Sequence, residues 1–301
     1  MERLPHELLF KILDFCDTNS VVKFGMTSSV FYNFVNAYCL TIEDFEFNKY
    51  VRIPTTSTKK PKKESLHKLI QILHYKFPNL KQIEIGPDFI PVFSLNTMIL
   101  LAKEFPKIQH LSLHENSIGE PVKKHLLTSL LYFHNLNSLV LKNYSERFYV
   151  RRGCAHVREE VPQVSLIGLK QLRIESSCGL VTKLFSRMRR QNERLPNLEC
   201  LRLKIKSSNS EMQDDLYWFL QHHSNLRQVC VSGLLFINAD DVERFVENTL
   251  AIKNLELFEL QDCHCVGPMS SPYFDTLKTR LRSRGIRGNP SVTTLHLRRP
   301  R

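Results

Sequence analysis

No run of apolar residues in this chain approaches the roughly 20 needed to cross a bilayer as a helix. No two cysteines stand at C-x-x-C spacing, so the usual sequence signature of a zinc ribbon or a dithiol redox centre is missing. No glycine-rich loop suits a phosphate, since Gly285-Ile286-Arg287-Gly288 is too short and runs into Asn289-Pro290. Neither a G-x-S-x-G nucleophile elbow nor a His-Glu-x-x-His pair occurs. These absences leave no legible catalytic centre, and neither side-chain catalysis nor a metal or cofactor is expected.

The chain has 301 residues, 42% apolar and 24% charged, which is ordinary globular composition with enough length for a large core. Its eight cysteines are scattered from Cys16 to Cys265, and they are expected to be reduced thiols of an intracellular protein, cytoplasmic, nuclear or both. The apolar opening is broken by Lys11 and closed by Asp14, with no small-residue cleavage site, so it is not expected to be a signal peptide. The net charge of +12 is uneven. Residues 1–50 carry four Lys/Arg against seven Asp/Glu, whereas residues 51–301 carry 38 against 23. The first 50 residues therefore read as a separate unit in front of a basic body.

That body repeats. LKQIEI (80–85), IQHLSL (108–113), LNSLVL (136–141), LKQLRI (169–174), LECLRL (198–203), LRQVCV (226–231) and LELFEL (255–260) all read apolar-x-x-apolar-x-apolar. IEDFEF (42–47) and VTTLHL (292–297) extend the series to nine copies, and five of the eight steps are 28 or 29 residues. Between copies lie helical patterns. Ser65 precedes Leu66, Leu69, Ile70 and Leu73; Ser94 precedes Leu95, Met98, Ile99 and Ala102; Pro121 precedes Val122, Leu126, Leu127 and Leu130. Leu180, Leu184, Phe185 and Met188 follow Gly179, and Asn238 is placed to cap a helix carrying Val242, Phe245 and Val246.

A short strand and one helix cannot bury their apolar faces alone, but stacked copies share one core. The chain here resembles the leucine-rich-repeat family in its longer strand-plus-helix form. The resemblance implies an α/β solenoid over 42–301, with parallel strands on a concave wall and helices on the convex side. Insertions are expected at 54–63, 146–162 and 278–290.

The opening carries two apolar stripes on one helix: Leu8, Ile12 and Phe15, and beside them Leu9, Leu13 and Cys16. Leu4-Pro5, Glu7, Ile12-Leu13, Asp17 and Ser29-Val30-Phe31 resemble the F-box, a three-helix motif of about forty residues, here expected over 1–41. The family carries Leu where Cys16 stands and often Trp near Phe31 or Tyr32; both replacements stay apolar. One stripe is expected to pack on the first repeat. The other is then an exposed apolar patch of the kind that marks a partner. The resemblance names that partner as the SKP-family adaptor of an SCF ubiquitin ligase, reaching a cullin and a RING protein through it. The expected docking residues are Leu4, Pro5, Leu8, Ile12, Leu13, Phe15, Val21 and Val22.

Alternation along each strand sends the polar positions to the concave wall. The expected target-binding residues are Gln82, Glu84, His110, Ser112, Ser138, Val140, Lys142, Gln171, Arg173, Cys200, Arg202, Lys204, Gln228, Cys230, Leu257 and Glu259. Lys142, Arg173, Arg202 and Lys204 would form a basic zone beside Val140 and Leu257, suited to a protein carrying acidic or phosphorylated residues. Arg202 near Cys200 and Cys230 would favour thiolates, although no base stands beside them.

Lys59-Lys60-Pro61-Lys62-Lys63 has the form of a nuclear localisation signal. The C-terminal run holds eight Lys/Arg from Lys278 to Arg301 without the interleaved aromatics that stack on bases, so it reads as a polar cap. Cys263-His264-Cys265 lacks a second ligand pair at zinc spacing, and His222-His223 reads as a solvated helix end. The expected function is that of a substrate receptor, held at one end by the adaptor and holding its target on the wall. Two other readings stand beside it. One is a repeat scaffold or inhibitor with no ligase link. The other is a nucleic-acid binder, which would show steep salt dependence.

Overall fold

The computed structural model describes residues 4–16, 18–46, 63–86, 95–114, 129–130, 132–144, 166, 168–176, 178–205, 210–265, 279 and 283. The chain divides into two compact units, Met1–Asn135 and Leu136–Arg301.

The first unit opens with helices α1 (His6–Asp14), α2 (Thr18–Gly25) and α3 (Ser29–Thr41). Strand β1 (Asp44–Glu46), helix α4 (Lys63–Lys76), strand β2 (Gln82–Ile85), helix α5 (Leu95–Glu104) and strand β3 (His110–His114) follow. The strands are parallel, with Asp44 opposite Gln82 and Gln82 opposite His110.

The second unit contains β4 (Ser138–Tyr144), β5 (Gln171–Ser176), α6 (Cys178–Gln191), β6 (Cys200–Ile205), α7 (Ser210–His222), β7 (Gln228–Ser232), β8 (Leu235–Phe236), α8 (Ala239–Leu250), β9 (Leu257–Gln261) and β10 (His264–Cys265). Its main sheet is parallel throughout, in the order β4-β5-β6-β7-β9, with β8 and β10 forming a separate parallel pair.

The repeat explains both units. From Leu80 to Leu260 the three apolar positions of every motif copy are at most 9% exposed. Each such side chain contributes about 1.5–3 kcal/mol by leaving water. The residue three places before most copies closes a turn. Ile108 N–H donates to Phe105 O (3.2 Å), Leu169 to Leu166 (3.0 Å), Leu198 to Leu195 (3.0 Å) and Leu226 to His223 (3.2 Å). Within each unit, two successive N–H groups then open β2, β3, β5, β6, β7 and β9 by donating to one carbonyl of the preceding copy. Examples are Gln109 and His110 to Lys81 O at 2.7 and 3.0 Å, and Glu199 and Cys200 to Lys170 O at 2.8 and 3.0 Å. These bonds set the register, because a slip of one residue would turn the apolar set to water.

Asn238 caps α8 as expected, its side chain accepting from Asp241 N–H at 2.9 Å. Val181, Leu184, Phe185 and Met188 bury one face of α6. Helix α4 is described from Lys63, so Ser65 lies within its first turn. Ser94, the Pro121–Leu127 stretch, the motif copy at 292–297 and the insertion at 146–162 lie outside the described residues. So do the insertions at 54–63 and 278–290, apart from residues 63, 279 and 283. Of helix α7 only its end at His222 is read from the sequence, and the β8–β10 pair is not anticipated there.

Candidate functional site

Helix α1 starts directly after Pro5, whose carbonyl accepts from Leu8 and Leu9 N–H at 3.1 and 3.2 Å. Glu7 in the first turn complements the helix dipole. The helix ends at Asp14, where Cys16 N–H returns to Leu13 O at 3.0 Å. Helix α3 is capped by Ser28, whose hydroxyl accepts from Phe31 N–H at 3.2 Å.

The two stripes of α1 separate cleanly. Leu9 and Leu13 are buried in a cluster with Val21, Phe34, Val35, Tyr38 and Cys39, and Cys16 is half-buried against it. Phe10 flanks the cluster, its ring centroid 4.8 Å from Phe34 and 5.4 Å from Tyr38. Tyr38 Oη donates to Asp14 Oδ1 at 2.7 Å, tying the end of α1 to α3. The inward stripe thus packs on α2 and α3 rather than on the first repeat. From the repeat side, Ile42 and Phe77 are half-buried against this cluster.

The outward stripe is open. Leu8, Ile12 and Phe15 are 46%, 45% and 93% exposed, with Leu4 and Pro5 exposed beside them. Two expected docking residues are not on this face. Leu13 and Val21 are buried, because they fill the bundle that holds α1 in place. The Val22 side chain lies outside the described residues. Met26 and Val30, at the α2–α3 turn, are exposed apolar residues that sequence reasoning passed over.

The polar positions of the strands line up in register. In the first unit Gln82 faces His110, and Glu84 faces Ser112. Glu84 Oε1 also meets His114 Nε2 at 3.2 Å. In the second unit one row runs Ser138, Gln171, Cys200, Gln228, Leu257, and the next runs Val140, Arg173, Arg202, Cys230, Glu259. A third runs Lys142, Glu175, Lys204, Ser232, Gln261. Ser138 is buried and offers little to a partner; the other expected wall residues are half-buried or exposed.

The register corrects the charge reading. Arg173 is paired with Glu175, and Glu175 sits between Lys142 and Lys204 in its row. Arg202 interacts with both Cys200 and Glu259. The zone is a mixed lattice rather than a basic strip. The thiols are corrected too. Burial pushes the Cys200 thiol up against the opposing pull of Arg202. Burial, reinforced by the Glu259 carboxylate, pushes Cys230 up to about 12. Both stay protonated at neutral pH and are poor nucleophiles.

His223 is no solvated helix end. It is 3% exposed, its ring stacked 3.8 Å from that of Phe219. Its Nδ1 donates to Phe219 O at 2.6 Å and its Nε2 accepts from Leu195 N–H at 3.0 Å. Burial lowers its pKa to about 4. Cys263 is likewise buried. Among the described residues no group of three His, Cys, Asp or Glu side chains could hold a metal. No helix among them is long and apolar enough to cross a membrane.

No curated protein matches the chain. The family model of the F-box domain matches residues 1–43, the three-helix segment that presents the open stripe. An F-box domain implies binding to a SKP-family adaptor and, through it, to a cullin, in a generally non-catalytic role. The match, over this three-helix segment, identifies residues 1–43 as an F-box domain.

Proposed function

We propose that this chain is the substrate receptor of an SCF ubiquitin ligase. The F-box seats on the adaptor through Leu4, Pro5, Leu8, Ile12 and Phe15. The strand units, read as leucine-rich repeats, hold the target protein on their polar face. The chemistry is proximity: binding raises the effective concentration of the target's lysines near a charged ubiquitin-conjugating enzyme. One observation carries the docking part, the outward stripe of α1 with Phe15 at 93% exposure inside the F-box match. Apolar side chains left open on a helix whose other stripe packs inward suit a partner surface.

The mixed lattice of Arg173, Glu175, Arg202, Lys204 and Glu259 suits a target segment with charges of both signs better than a uniformly phosphorylated one. Capture of purified adaptor by the full chain tests the docking. Wild type is expected to retain it, and a Leu8→Asp, Ile12→Asp double variant to lose it. Equal retention by both would place the contact elsewhere.

A further inference from the structure

Side chains of the strand units clasp the F-box in the way they clasp one another. Asn135 Nδ2 donates to Pro106 O at 2.8 Å, and Asn225 Nδ2 to Pro196 O at 2.6 Å. In both cases the acceptor stands two residues before the first apolar residue of the preceding copy, Ile108 and Leu198. Asn79 Nδ2 donates in the same way to Leu40 O at 2.9 Å, and Leu40 stands two residues before Ile42. Leu40 belongs to α3. One step on, Lys81 and Gln82 N–H donate to Glu43 O at 2.7 and 3.0 Å, repeating the strand-opening bonds of the later copies.

The end of α4 closes on the same helix. Lys76 Nζ donates to Asn36 Oδ1 at 2.9 Å. It also lies 5.3 Å from the Tyr32 ring centroid and 5.6 Å from that of Tyr75. Among the described residues no ion pair holds Lys76, so this ammonium is fixed by an amide and two aromatic faces. Phe77, next in sequence, packs against the F-box cluster and sits 5.5 Å from Phe45 of β1.

We infer that α3 is shared: it is the last helix of the F-box and the helix of the first strand unit, and Lys76 pins the joint. No hinge then separates the docking module from β2 and β3. If the adaptor seats on α1, which rests on the docking reading above, it is held at a fixed angle to the Gln82, Glu84 and His110 face. A loosened joint would let target and adaptor swing independently.

Hydrogen exchange on the full chain, without partner, tests the joint. Lys76→Met keeps length and removes charge. It is expected to speed exchange of the amides of 36–41 about tenfold while those of β3 are unchanged, because only the joint opens. Lys76→Arg, which keeps the charge and a donor, should restore wild-type rates. Asn36→Ala should have a smaller effect and add nothing to Lys76→Met, since both act on one contact. Unchanged rates in Lys76→Met, equal acceleration in β3, or no rescue by arginine would each overturn the pin.

Spin labels on non-natural residues at the exposed positions Lys11 and Gln82 supply the second measurement. Wild type should give one narrow distance distribution and Lys76→Met a broader one. A broad distribution in wild type would overturn the shared helix. Failure of wild type to bind adaptor would refute the docking reading and leave these two results standing.

Discussion

Ile12, Leu13 and Phe15 lie within four residues at the end of α1, yet the structure assigns them opposite consequences. Leu13 is 3% exposed among Phe34, Tyr38 and Val21. Leu13→Ala opens a cavity in a small bundle and should cost about 2–5 kcal/mol. At about 1.4 kcal/mol per factor of ten, amides of α1–α3 should then exchange roughly 30 to several thousand times faster. Ile12 is 45% exposed, so Ile12→Ala should alter stability by no more than about 0.5 kcal/mol. Binding reverses the order. Covering the open half of Ile12 is worth about 1 kcal/mol, and covering nearly all of Phe15 up to about 3 kcal/mol. Calorimetric titration with the adaptor should therefore show about fivefold weaker binding for Ile12→Ala and tenfold to a hundredfold for Phe15→Ala. Measured where its bundle is still folded, Leu13→Ala should bind close to wild type. The crossing of the two rankings is the test. If Ile12→Ala loosens the bundle as much as Leu13→Ala, or if Phe15→Ala leaves affinity intact, the outward stripe is not a docking face.

Three further outcomes follow from the second unit. His223 has its pKa lowered to about 4 against 6.5 for the free side chain. The fold therefore favours the neutral ring. Its stabilisation is complete above about pH 6.5 and is lost as pH falls through about 4. Protonation would set a second donor against Leu195 N–H. Imidazole resonances of His223 should stay in the neutral form at pH 5.5, and a midpoint near 6.5 would contradict the buried geometry. Gly233 has φ of +81°, and a Cβ there would fall 1.8 Å from Ile205 O, whereas Asp262 adopts φ of 48° at the matching turn. Gly233→Ala should unprotect β7 and β8 in hydrogen exchange. Asp262→Gly should be neutral or stabilising by roughly 0.5–1 kcal/mol, because glycine carries no Cβ penalty in that region. Tolerance of Gly233→Ala with intact protection would show that the turn can relax.

Strand placement was legible because the motif encodes it twice, in apolar spacing and in the turn before each copy. The α8 cap and the double stripe of α1 were legible for the same reason, since both are local. What escaped depends on neighbours the linear sequence does not name. Helix α7 was legible only at its end, His222-His223; which of its residues are buried, Met212, Leu216, Phe219 and Leu220 among them, is set by its neighbours. Strands β8 and β10 have two residues each, below any periodicity.

His223 stands where Phe105 and Phe133 stand in other copies, three residues before the motif. That alignment could have marked it as a core position despite its polarity. Its two hydrogen bonds show why histidine is tolerated: one reaches back along its own helix and the other takes Leu195 N–H. The charge reading failed for a comparable reason. Counting Arg173, Arg202 and Lys204 along the sequence gives a basic zone. Parallel register instead sets Glu175 between two lysines and Glu259 beyond Cys230. On a sheet with one residue per strand in each row, partner chemistry is set by the row. A target segment lying across these strands would meet Val140, Arg173, Arg202, Cys230 and Glu259 in turn, passing from apolar through basic to acidic. That order favours a segment with an acidic residue placed over the two arginines and a basic residue about two strand spacings further on, roughly 10 Å away.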